Sequence, residues 1–131
     1  MALDLHDLPT EVLAFLAEYH LATLTTLRPD GSPHVVPVGF GYDASSGVAR
    51  IITFPASRKA RNLLATPGSR AVVCQVDGGR WLALEGPAVV TDDPGRVAAA
   101  VDAYAARYRQ PGERPDRVAI EIQVDRILGR G

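Results

Sequence analysis

Leu21-Ala22-Thr23-Leu24-Thr25-Thr26-Leu27-Arg28-Pro29-Asp30-Gly31-Ser32-Pro33-His34-Val35-Val36-Pro37-Val38 is the stretch on which the architecture of this chain turns. The run from Leu21 to Leu27 alternates and is rich in strand formers. Arg28-Pro29-Asp30-Gly31-Ser32 is dense in turn formers, and the chain returns as a second extended run from Pro33 to Tyr42. Strands joined by so short a turn pair antiparallel. Pro37 has no N–H to give a ladder, so the returning strand lies at an edge or is bulged there.

The same grammar continues outward. Asp43 to Gly47 turns and Val48 to Phe54 is a third strand; Arg70–Val76, the turn Asp77-Gly78-Gly79, and Arg80–Thr91 make another hairpin. Val118 to Leu128 alternates apolar and charged residues as a last strand. Helices are inserted between the hairpins. Leu8, Val12, Phe15, Leu16 and Tyr19 recur at helical spacing over about residues 8–20. A short basic helix follows Pro55-Ala56-Ser57 and closes at Thr66-Pro67-Gly68. Asp93-Pro94 opens a long helix in which Val97, Val101, Tyr104 and Tyr108 share a face, and Gln110-Pro111-Gly112 ends it before a polar loop to Asp116. About six strands in antiparallel hairpins predict a mainly β fold, a small barrel with flanking helices rather than a parallel doubly wound sheet. No repeat or linker interrupts residues 1–131, so one domain is expected.

Composition excludes several functions. A net charge of -1 cannot build the broad basic surface of a nucleic-acid binder. Cys74 is the lone cysteine, which excludes a disulfide framework and a cysteine-rich zinc site; within Ala71-Val72-Val73-Cys74 it reads as a buried structural thiol. No basic-then-apolar signal pattern opens the chain and no apolar run is long enough to cross a membrane, so a cytoplasmic protein is expected.

Against that neutral background Arg58-Lys59-Ala60-Arg61-Asn62 concentrates three cations in five residues, and Lys59 is the only lysine in the chain. The segment begins a helix for which Ser57 is a plausible cap. Cations there face the positive end of the helix dipole, disfavoured by roughly 0.3–1 kcal/mol each. Free backbone N–H groups point the same way, and a bound anion would relieve both problems. Two plainer readings stand beside this one: a solvated helix face, or ion pairs with Glu85, Asp92 or Asp93.

Other positions are open between two readings. The backbone beside Pro37 either hydrogen-bonds a flat heterocycle or merely protects a sheet edge. Trp81 lines an apolar pocket or caps the core. Gln75 contacts a ligand or faces solvent. His34 opens the second strand and either lines a ligand site or does not, while His6 and His20 read as surface residues. No nucleophile–base pair is visible and no histidines have metal-ligand spacing, so neither a catalytic side chain nor a metal is assigned.

Several stretches together resemble the split-barrel flavin and deazaflavin oxidoreductases, the family of pyridoxamine 5′-phosphate oxidase. They are Ala22-Thr23-Leu24-Thr25-Thr26-Leu27, Gly31-Ser32-Pro33-His34-Val35-Val36, Ser57-Arg58-Lys59-Ala60-Arg61-Asn62-Leu63 and Trp81-Leu82-Ala83-Leu84-Glu85-Gly86. The resemblance is greatest to the branch of F420-dependent biliverdin reductases. There it extends through Gln75-Val76-Asp77-Gly78, Tyr104-Ala105-Ala106-Arg107-Tyr108 and Ile120-Glu121-Ile122-Gln123-Val124, nearly the whole chain. It implies a six-stranded antiparallel split β-barrel of the FMN-binding type, forming a homodimer with cofactor sites at the interface. The implied cofactor is coenzyme F420, with FMN as the alternative. The implied reaction is hydride transfer from reduced F420 to a conjugated small-molecule acceptor such as biliverdin. The resemblance places the cofactor phosphate at Ser57, Arg58, Lys59 and Asn62, and the ring along Val36, Pro37 and Val38 beside Thr53. Gln75 and Trp81 reach the site, from either subunit. An FMN-dependent oxidase or reductase, or a cofactor or tetrapyrrole carrier without turnover, remain alternatives; no nucleic-acid or membrane partner is implied.

Overall fold

The computed structural model describes residues 2–131. The elements in chain order are α1 (Thr10–Ala17), β1 (Ala22–Leu27), β2 (Pro33–Val38), β3 (Gly41–Asp43), β4 (Val48–Thr53), α2 (Arg58–Ala65), β5 (Arg70–Asp77), β6 (Arg80–Thr91), α3 (Pro94–Arg107), β7 (Val118–Gln123) and β8 (Arg126–Arg130). All strand pairs are antiparallel. They follow one path, β2-β1-β5-β6-β7-β4-β3, with β8 paired to β6. The mainly β architecture with inserted helices is the one expected, but the strand count is eight rather than six.

Both extra strands come from breaks inside runs that read as continuous. The run from Pro33 to Tyr42 is interrupted by Gly39 and Phe40. β2 pairs with β1 on one side of that break, and β3 pairs with β4 on the other. Val118 to Leu128 is broken at Val124 and Asp125. From Thr91↔Ala119 to Ala88↔Ile122 the register along β6 is constant, and at Glu85↔Arg126 it has slipped by one residue. One extra residue against a straight partner is a bulge, which bends the strand and lets it pass from one half of the barrel to the other. The shared strand β6 makes this possible because it is long, spanning Arg80–Thr91.

The bend also explains Gly86. A Cβ built there would lie 1.9 Å from the carbonyl oxygen of Gln123, so no other residue lets the bulged strand approach. Alternation along the strands sends Leu24, Ile51, Leu82, Leu84, Ile120, Ile122 and Ile127 into one buried core, joined by Phe40 from the break after β2. α1 contributes Val12, Phe15 and Leu16, and is shorter than its periodicity suggested because the chain turns extended at Glu18.

β2 and β3 are the two ends of the sheet path although they are neighbours in sequence. The barrel is therefore not closed by hydrogen bonds between β2 and β4. α3 packs against β3, β4 and β7 beside that opening. Pro37 thus sits on an end strand, where its missing N–H costs no ladder bond.

Gly86→Ala is expected to lower stability by about 3 kcal/mol, because backbone rather than a pliable side chain meets the new methyl. Gly112→Ala meets nothing within 4 Å and should change stability by under about 0.5 kcal/mol. Urea unfolding of the two variants measures both.

Candidate functional site

At the opening of the barrel four of the sequence-predicted residues, Pro37, Val38, Thr53 and Lys59, line two neighbouring hollows. Pro37, Val38 and Gly39 from the end of β2 face Ile51 and Ile52 of β4. With Lys59, Tyr104, Arg109, Pro111 and Gly112 they line a cavity of about 280 Å³. A second hollow of about 230 Å³ shares Ile52 and Lys59 with it, and is completed by Thr53, Phe54, Arg114 and Arg117. Lys59 stands between the two.

The walls are held in place by close packing. A Cβ on Gly39 would lie 2.9 Å from ring atoms of both Tyr104 and Tyr108, so the link between β2 and β3 runs directly beneath these aromatics. Tyr104 and Tyr108 stack at 5.0 Å between centroids. The Tyr108 hydroxyl donates to the His20 carbonyl at 2.6 Å and accepts from the Phe40 N–H at 3.2 Å. Arg107, its neighbour at the end of α3, is buried. It donates to the carbonyls of Glu18 (2.7 Å) and Phe40 (2.9 Å) and to Gln75 Oε1 (2.7 Å), and its guanidinium lies 4.8 Å from the Phe40 ring centroid.

α2 opens as the sequence predicts. Ser57 is its N-cap, with its hydroxyl accepting from the Ala60 N–H and from the Thr53 hydroxyl at 2.9 Å. That leaves the Ser57 O–H proton and the N–H groups of Arg58 and Lys59 without an acceptor among the described residues. The ion-pair reading of the basic cluster fails. Glu85 pairs with Arg126 and Arg70, and Asp93 caps α3 by accepting from the Arg96 N–H. Among the described residues Arg58, Lys59, Arg61, Arg109 and Arg117 make no ion pair at all. Lys59 is half-buried, and that burial holds its ammonium pKa below the usual lysine value. Uncompensated positive charge in a lined hollow is a site for an anion.

Four predicted residues lie elsewhere. Asn62 is buried, 1% exposed, and its amide donates inward to the Thr26 hydroxyl at 3.0 Å, so it anchors α2 to β1. Gln75 neither faces solvent nor reaches either hollow. Its side chain is fully buried, donating to the Phe15 carbonyl at 3.1 Å and accepting from Arg107. Trp81 is exposed on the outer face of the sheet beside Val76 and Arg130, away from both hollows and from the core. Val36 is half-buried on β2 and lines neither hollow.

The structure adds residues that sequence reasoning passed over. Arg109, Arg114 and Arg117 come from the polar loop after α3, three arginines in nine residues, which was itself the signal. Arg114 lies 3.9 Å over the Phe54 ring and pairs with Asp116, while Arg117 is tethered to the Gly112 carbonyl at 2.7 Å. Another hollow, between α1, β3 and α3, has Arg50 in its wall, but Asp43 and Glu121 already pair with that cation. No cluster of metal-ligating side chains occurs among the described residues, and no described helix is long and apolar enough to cross a membrane.

Known proteins share the sequence pattern and the fold. Residues 8–131 match the family described as pyridoxamine 5′-phosphate oxidase. The chain is 53% identical over 122 residues to an F420H(2)-dependent biliverdin reductase of Mycobacterium tuberculosis, covering 93% of this chain and 88% of that protein. Among solved structures it is similar to an F420 reductase, with a TM-score of 0.73, 26% identity and coverage of 92% and 98% of the two chains. A conserved hypothetical protein of M. tuberculosis shares the fold at TM-score 0.78, 24% identity and coverage of 95% and 84%.

Replacing Arg107 by methionine should destabilise the chain by roughly 2–3 kcal/mol, because three buried acceptors lose their donor together. Arg107→Lys should recover only part, since one ammonium cannot reproduce the planar fork. Thermal unfolding of the pair checks this.

Proposed function

Because the chain belongs to the pyridoxamine 5′-phosphate oxidase family, we propose that it is a reductase that uses coenzyme F420 and acts on a conjugated acceptor of the biliverdin type. The observation that carries this reading is the set of unpaired cations around the start of α2, at the mouth of a cavity bounded by an end strand. The residues present fit the cofactor. Its phosphate would be held by the Ser57 hydroxyl, the free N–H groups of Arg58 and Lys59, and the two side-chain cations. Its flat ring suits the cavity between β2 and β4, walled by Val38, Ile51 and Tyr104. Unpaired backbone groups on the free edge of β2 offer hydrogen bonds to the ring's polar edge. Arg109, Arg114 and Arg117 extend the positive lining for further carboxylates.

The chemistry supplied by the bound deazaflavin is hydride donation to an electrophilic carbon of the acceptor. The side chains bind, orient and exclude water, which accounts for the lack of a nucleophile–base pair. The family name itself favours a second reading, an FMN-dependent oxidase or reductase in the same cavity.

We further read the chain as a single split-barrel domain that forms a homodimer. The outer face of β2, β1, β5 and β6 carries Leu27, Val35, Val76 and Trp81, at 41%, 55%, 66% and 40% exposure. Thr23, Thr25, Val72 and Cys74 fall on the same face by register. A continuous apolar sheet face of this kind suits a second copy of the chain. A partner seated there would cover Trp81. A cytoplasmic location is in keeping with the unpaired Cys74.

Purified protein should quench F420 fluorescence saturably at micromolar cofactor and oxidise F420H2 in step with biliverdin loss. A yellow preparation releasing FMN on denaturation would instead favour the FMN reading, and binding without turnover would identify a carrier. Lys59→Ala should weaken F420 binding by roughly tenfold to a hundredfold, the loss of one charge-assisted contact, with stability changed by under about 0.5 kcal/mol. Light scattering should give twice the 14.0 kDa chain mass, and Val35→Asp should reduce it to one.

A further inference from the structure

His34 is not used by the function just described, and it has an unmet bond. It sits in β2 directly opposite Thr26 of β1, and the Thr26 hydroxyl accepts from Asn62 of α2 at 3.0 Å. The imidazole therefore lies where the edge hairpin meets the first turns of the basic helix. Its Nδ1 is buried and has no hydrogen-bond partner. Asn62 Oδ1, above the same threonine, is a buried acceptor that also has none, and Asn62 itself is 1% exposed. Two orphaned polar atoms around one hydroxyl call for an explanation, since buried polar groups are almost always paired.

The charges facing His34 are all positive. Arg28 comes from the β1–β2 turn, where it is tied to the Pro33 carbonyl at 2.6 Å; Arg58 and Lys59 come from α2. Thr26 and Asn62, the side chains from β1 and the body of α2, are neutral. The turn's carboxylate, Asp30, is committed to the Ser32 N–H and hydroxyl. Burial and these three cations hold the imidazole pKa below the ordinary histidine value, burial being the larger cause. An anion placed among Arg58, Lys59 and the free N–H groups of α2 reverses the sign of the local field. It also supplies an acceptor for a second ring N–H.

We propose that His34 belongs to the anion site at the start of α2, and that its imidazole, neutral when the site is empty, takes up a proton from solvent when an anion binds. The inference rests on the anion-site reading above and adds a residue and a pH dependence to it. Protonation gives the ring two donors in place of one, so a ring N–H is available to the anion whichever tautomer the neutral ring holds. By linkage, an anion that raises the proton affinity of His34 is itself bound more tightly when His34 is protonated.

Sulfate is a suitable probe because its own charge does not change between pH 5.5 and 8, with chloride at equal ionic strength as reference. The chain has three histidines, so ring NMR signals are assigned from His6→Gln, His20→Gln and His34→Gln variants. In chloride the His34 ring should titrate below an ordinary histidine, and saturating sulfate should raise its midpoint by about one pH unit, with the His6 and His20 signals as references. Sulfate affinity should then increase severalfold between pH 8 and pH 5.5 in the native protein. In His34→Gln it should be flat. A His34 signal indifferent to bound sulfate, a His34→Gln profile matching the native one, or no saturable sulfate binding would each overturn the proposal. F420 binding measured on the same samples separates the two levels: cofactor bound with His34 silent defeats only this inference. Neither ligand bound defeats the site itself.

Discussion

A buried guanidinium without a carboxylate holds this structure together. Arg107 ends α3, and its donors reach the last residue of the α1 region, the break between β2 and β3, and the side chain of Gln75 on β5. Taking such a charge out of water is costly unless every donor is satisfied. Here the partners are two backbone carbonyls and one amide oxygen, with the Phe40 and Tyr108 rings 4.8 and 5.3 Å from the cation. Desolvation favours the neutral form, and the charge interactions with Tyr108 and Glu18 oppose it. Because three separate elements meet at one planar group, the path of Gly39 and Phe40 is fixed. That path sets the end of β2 and thereby one wall of the cavity.

The second organising fact is how the acids are spent. A net charge of -1 would allow every cation a partner. Instead the carboxylates are committed to arginines of the sheet and of α3: Glu121 with Arg50 and Arg96, Glu85 and Asp125 with Arg70, Asp77 and Glu18 with Arg80. Most of these pairs are exposed and contribute little stability. Their effect is to leave Arg58, Lys59 and Arg61 of α2, and Arg109 and Arg117 after α3, without an ion pair among the described residues. Unpaired positive charge is thus gathered locally in a protein with no global basic character.

Much of the site was legible beforehand, and the parts that were not share a cause. Ser57, Arg58 and Lys59 could be read from local rules, because a cap, a dipole and adjacent cations all lie within one turn. Pro37 marked an end strand because a missing N–H is a property of one residue. Asn62 and Gln75 were misplaced because a polar residue in an amphipathic element has two faces available. Only the packing of α2 on β1, and of α3 across β5, decides which face is buried. The strand breaks at Gly39–Phe40 and Val124–Asp125 were hidden for a related reason. Alternation continues through a bulge, and only register against β6 exposes the slip.

The sequence by itself determined the antiparallel hairpins, the capped basic helix and the family. These follow from interactions between residues a few positions apart, or from similarity along the whole chain. Tertiary structure alone decided that the barrel opens between β2 and β4, that Arg109, Arg114 and Arg117 join Lys59 there, and that Gln75 serves Arg107 rather than a ligand. Those outcomes depend on contacts between residues dozens of positions apart, and on which carboxylates are already paired. No local pattern encodes either.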